Sequence, residues 1–115
     1  MAESDGTFEI ASSAVGRVTV LAVTGEIDMT TAPDLLRSLE LVSEGSDAVV
    51  VDLRATTFLD SSGLNALLTG RRALEARGIG LRVVVPEENP VRRVFEITRL
   101  TESLSVVASL DDALV

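Results

Sequence analysis

The 115 residues carry 18 acidic side chains against 10 basic ones, a net charge of −8, with 46% hydrophobic, 24% charged and only 3% aromatic residues. That balance fits one folded domain over residues 1–115, and its acidic surface repels phosphate backbones and anionic lipid, so neither nucleic acid nor a membrane is expected as a partner. Without Cys or His the chain has no disulfide framework, no Cys/His zinc site and no imidazole base, which removes Ser-His-Asp chemistry.

Met1 to Gly6 are polar and acidic, the reverse of a signal peptide, and residues 1–6 are expected to be flexible. With no apolar run of spanning length, a cytoplasmic location is expected. Thr7 to Ser12 reads as a first strand, with Phe8 and Ile10 alternating. After a turn at Val15-Gly16, Val18 to Val23 reads as its hairpin partner, ended by Thr24-Gly25. Thr30 or Thr31 can cap a first helix, with Pro33 and Asp34 in its first turn. Leu35, Leu36, Leu39 and Val42 recur at helical spacing, and Gly45 stops the pattern.

Ala48 to Leu53 is a near-continuous apolar run, the mark of a strand buried on both faces. Leu64, Leu67, Leu68 and Leu74 form the stripe of a second helix closed by Gly78, with Arg71 packing its stem beside them. Leu81 to Val85 is another buried strand, ended by Pro86. A third helix runs from Pro90 to about Thr98 with Val91, Val94 and Phe95 inward. Leu104 to Val107 is a last strand, and Leu110 to Leu114 a terminal helical turn. The order β-β-α-β-α-β-α-β-α predicts an α/β fold: one mixed, mostly parallel sheet packed with helices.

Asp60, Ser61 and Ser62 lie where a short loop after the buried strand enters the second helix. Free amides and the positive end of the helix dipole favour an anion there, and phosphate on serine would add about −1.5 to −2 charges. Gly63 leaves room for another chain or a nucleotide phosphate to approach. On local physics alone Asp-Ser-Ser before an apolar helix reads first as plain N-capping and does not by itself establish a switch, and Asp28 is open to the same capping reading at the first helix. Glu26, Arg72, Arg92 and Arg93 read as solvated charges.

Taken together, Val23-Thr24-Gly25-Glu26-Ile27-Asp28 and Asp60-Ser61-Ser62-Gly63-Leu64 resemble the STAS domain of bacterial anti-sigma factor antagonists. Gly78 to Val85, Asn89 to Phe95 and Leu100 extend the likeness over nearly the whole chain. The resemblance implies the STAS fold and a binding protein, with no cofactor, no metal and no enzymatic activity. It implies that the unphosphorylated form binds an anti-sigma factor that is also a serine kinase, releasing a sigma factor. Phosphorylation by ATP at Ser61 would end the complex, and a serine phosphatase would restore it. Ser62 would be a supporting or minor acceptor, and Asp28, Asp60, Ser61, Ser62 and Gly63 would form the partner-binding edge. Two other roles share the fold: an unphosphorylated structural subunit of a lipid-transport or transporter complex, and a subunit of a sensory scaffold. A hydrolase is excluded by the absence of His and Lys and of a nucleophile elbow around Ser61.

Overall fold

Parallel strands need crossover connections, and the chain supplies them in helices between its Val-rich runs. The computed structural model describes residues 8–115; the expected flexible residues 1–6, and Thr7 of the first expected strand, lie outside the described residues. In chain order the elements are β1 (Glu9–Val15), β2 (Val18–Ile27), α1 (Ala32–Glu40), β3 (Ala48–Asp52), β4 (Thr56–Leu59), α2 (Ser61–Glu75), β5 (Gly80–Val84), α3 (Val91–Ile97), β6 (Val106–Val107) and α4 (Leu110–Ala113). The sheet runs β1-β2-β3-β5-β6, with β1 antiparallel to β2 and every other pairing parallel.

Side chains alternate across this sheet and split the core in two. Leu21, Val23, Val49, Val51, Leu81 and Val83 face α1, α2 and α3, where Leu35, Leu39, Leu67, Leu74 and Phe95 are buried against them. Val20, Val50 and Val84 face the other way and pack with Ala113, Leu110 and Leu114 at α4. Burying each large aliphatic or aromatic side chain contributes about 1.5–3 kcal/mol, so the first cluster dominates the fold. Where α1 crosses α2, Gly70 lets the helices meet: a Cβ there would overlap Leu39 Cδ1.

The short loop expected between Leu53 and the second helix contains a strand. β4 pairs with the far half of β2, through Gly25↔Thr56, Glu26↔Phe58 and Ile27↔Leu59, with an irregularity between Gly25 and Glu26. β2 therefore does not stop at Thr24-Gly25. Gly25, at φ +98, carries a bend that turns β2 from β3 onto β4, and its N–H donates to Ala55 O at 3.1 Å. The buried Thr56 hydroxyl secures the same junction by donating to Val23 O at 2.8 Å.

Smaller departures have equally local reasons. β1 continues to Val15, because pairing with β2 holds small residues that local propensity alone would not. β6 is only Val106–Val107; Leu104 is fully buried in the preceding turn, where Ser105 adopts φ +50. Arg92 is not a solvated charge: its side chain is 16% exposed and its Nη1 donates to Val85 O at 2.6 Å, tying α3 to the end of β5. Arg71 packs as expected and donates to Ser103 O at 2.7 Å. No helix among the described residues is long and apolar enough to cross a membrane.

Candidate functional site

The parallel pairing of β2 with β4 brings the two sequence motifs together. Ile27 and Leu59 are register partners, so Asp28 and Asp60 leave the sheet side by side, and the Asp60 N–H donates to Ile27 O at 3.2 Å. Asp60 then caps α2 from extended backbone. Its Oδ1 accepts the N–H groups of Ser62 at 2.8 Å and Gly63 at 3.3 Å, while its main-chain oxygen accepts Leu64 N–H at 3.2 Å. Ser61 is the first residue of α2 and is exposed; its hydroxyl has no hydrogen-bond partner among the described residues. Ser62, half-buried, turns toward the seam between α2 and α1.

This arrangement changes two expectations. The amides expected to be free for an anion at Ser61 are largely taken by the Asp60 carboxylate and carbonyl. A phosphate on Ser61 would therefore meet a carboxylate already seated at the helix end, and would project outward rather than dock on α2. Gly63 offers no room to a partner. It is buried, and a Cβ there would overlap Leu59 Cδ1 and lie 2.8 Å from Ile27 Cγ2. The glycine brings α2 down onto the β2–β4 pair, which positions Ser61 at the edge.

Asp28 shapes the neighbouring turn. Its Oδ1 accepts the Thr30 hydroxyl at 2.7 Å and the amides of Thr30 at 3.0 Å and Thr31 at 3.2 Å. These contacts, the Thr30 hydroxyl foremost, hold its carboxyl below the ordinary aspartate value of 3.8. Thr31 occupies the cap position of α1, but its hydroxyl does not cap the helix as expected. It donates to Glu26 O at 2.9 Å and accepts the Asp28 N–H at 2.9 Å, leaving Asp28 to gather the opening amides. The Asp28 carboxylate thus closes the turn ahead of α1 and does not cap the helix itself, which has no side-chain cap among the described residues.

Sequence reasoning missed the apolar part of this edge. Met29 is 76% exposed directly after Asp28, and Phe58 is 47% exposed on β4, two positions before Asp60. Met29 also rims a groove of about 250 Å³ between α1 and α2, whose far wall is Ser62, Asn65 and Ala66. The available signal was a large apolar residue beside each acidic motif position, but only the fold shows which of them remain uncovered.

A mixed sheet whose parallel β2–β4 pair sets an acidic turn beside a capped, exposed serine is the arrangement of a STAS domain. The chain belongs to that family, among its anti-sigma factor antagonists: the family model described as STAS domain matches residues 9–113. It is 36% identical over 101 residues to the anti-sigma-F factor antagonist RsfB of Mycobacterium tuberculosis, covering 84% of this chain and 79% of that one. It is 32% identical over 85 residues to the anti-sigma-B factor antagonist of Listeria monocytogenes, covering 73% and 74%. Among solved structures, an anti-sigma factor antagonist from Mycobacterium paratuberculosis superposes with a TM-score of 0.83 at 33% identity, over 96% of this chain and 94% of the other.

Proposed function

We propose that this protein, when unphosphorylated, binds an anti-sigma factor that is a serine kinase and thereby releases a sigma factor. Phosphorylation of Ser61 from ATP ends the complex, and a serine phosphatase reverses it. The observation that carries the reading is the placement of Ser61: exposed, without a protein partner among the described residues, and set beside Asp28 and Asp60 on one rim. Asp28, Ser61 and Ser62 meet the partner, with Met29 and Phe58 supplying apolar contact. Asp60 and Gly63 act by fixing the end of α2.

Because Asp60 already holds the helix amides, the phosphate adds its charge to a rim that is already negative. Like charges at short range oppose an interface formed there, and no refolding is required. The protein acts by binding and performs no reaction of its own, which fits a chain lacking His, Cys and Lys. Such partners place it in the cytoplasm.

The test uses wild type, Ser61→Ala and Ser61→Glu as baits in lysate of the source organism, followed by incubation of the captured protein with ATP and mapping of phosphate by mass spectrometry. The reading expects an anti-sigma factor kinase on wild type and Ser61→Ala, its loss from Ser61→Glu, and phosphate on Ser61 of the wild type alone. Capture of the same transporter or scaffold subunits by all three baits, with Ser61 unmodified, would overturn it.

A further inference from the structure

Among the described residues the outer edge of β1 is open. Glu9–Val15 pairs there only with β2, through consecutive pairs from Glu9↔Thr24 to Val15↔Val18 and without a bulge. Natural sheets guard such edges with lysine, proline, a bulge or a covering element, because unpaired amides and carbonyls invite another strand. None of these guards is present among the described residues: the segment reads Glu-Ile-Ala-Ser-Ser-Ala-Val, and Ala11 to Val15 are all exposed.

The hairpin fixes which main-chain groups face outward. Gly16, at φ +60, and Arg17 join the strands as a two-residue turn closed by the pair Val15–Val18. In such a hairpin the closing pair exchanges both of its hydrogen bonds, as do alternate pairs along the ladder, here at Ser13, Ala11 and Glu9. The N–H and C=O groups of Ile10, Ser12 and Ala14 therefore point away from the sheet.

That pattern is self-complementary. A second β1 run antiparallel about a two-fold axis at Ser12 sets Ser12 against Ser12, Ile10 against Ala14 and Glu9 against Val15. Every outward group of both strands then has a partner, about six hydrogen bonds in all. Glu9, the one charge of the strand, does not meet its own copy. On the helical face beside the edge, Leu41 is 75% exposed over a groove floored by Ile10, Ser12 and Leu21. Residues directly opposite share a face, so the added Ile10 and Ala14 side chains extend over that groove.

We propose that two copies of this chain associate through β1 into a two-fold dimer with one continuous sheet. The dimer is independent of the serine switch, because β1 and β4 lie on opposite sides of β2 and Ser61 stays open. The interface is small and therefore weak, and the net charge of −8 opposes it, so salt strengthens it.

Sedimentation and amide exchange on the full chain, between about 10 µM and about 1 mM, cover the range of such an interface. The mass should approach a doubling at the upper end, with the Ser12 and Ala14 amides gaining protection in parallel. Ser12→Pro removes an outward N–H and leaves the β2 ladder intact, so it should stay monomeric with a near-native unfolding midpoint. Should that variant fold poorly, Ser12→Lys opposes two like charges at the axis and should give the same result. Since the chain lacks cysteine, Ser12→Cys should oxidise to a covalent dimer much faster than Glu102→Cys at a distant exposed position. A monomer at about 1 mM, concentration-independent protection of Ser12, or equal cross-linking by both cysteine variants would overturn the proposal.

Discussion

Asp60 caps α2 and also carries charge at the proposed switch, and two substitutions separate these roles. Asp60→Ala removes the acceptor of the Ser62 and Gly63 amides, at 2.8 and 3.3 Å. Gly63 is buried, so water replaces that acceptor poorly and the loss falls in the upper half of the cap range, about 1–2 kcal/mol. Asp60→Asn keeps an oxygen in the same place and gives up only the charge at the positive end of the helix, about 0.3–1 kcal/mol. In a chain of 115 residues a loss of about 1 kcal/mol lowers Tm by about 4 °C. Urea unfolding followed by circular dichroism at neutral pH should thus rank wild type above Asp60→Asn and Asp60→Ala last, at a constant m-value. An alanine variant as stable as wild type would refute the capping geometry; equal losses in both would show that charge, not hydrogen bonding, is what the helix end requires. If the electrostatic switch is right, Asp60→Asn also partly restores partner binding to the phosphorylated form.

Gly63→Ala should destabilise despite its better helix propensity: the overlap with Leu59 and Ile27 costs about 1–3 kcal/mol against a gain of about 1. A raised Tm would contradict the close packing of α2 on the β2–β4 pair. Thr56→Val leaves the buried Val23 carbonyl without its 2.8 Å donor and should cost about 1–3 kcal/mol, whereas Thr56→Ser keeps the bond and loses only a methyl group; unfolding midpoints compare them. Thr30→Val removes the chief cause of the depressed Asp28 pKa, so carboxyl titration by NMR should move toward the ordinary 3.8. A depressed folded-state pKa gives stability that is complete above the unfolded value and fades as pH falls through the folded one. Below about pH 4 the wild type should therefore lose more of its stability than Thr30→Val.

Much of the fold is written locally. The Val-Val-Val run at Ala48–Asp52 announces a strand buried on both faces, and both core clusters draw on it. The leucine stripe of α2 and the capping chemistry of Asp60 need only neighbours in sequence, and both stand where short-range rules place them. Glycines were harder to read. Nothing local distinguishes a Gly63 that opens space to a partner from one that closes space against Ile27 and Leu59.

β4 is the clearest case of a feature beyond local reading. Four residues, Thr56–Leu59, follow β3 after a three-residue gap, and their propensity does not separate a strand from a loop. They become a strand because β2 runs past the end of β3, bends at Gly25 and leaves its own amides and carbonyls in need of partners. The identity of the exposed serine, the acidic residues near it and the absence of His, Cys and Lys were all determined by the sequence. That Asp28 and Asp60 stand side by side and that Met29 and Phe58 stay uncovered were decided by the tertiary structure. Each of these depends on the register of β2 against β4, a contact between segments about thirty residues apart, which no local signal encodes.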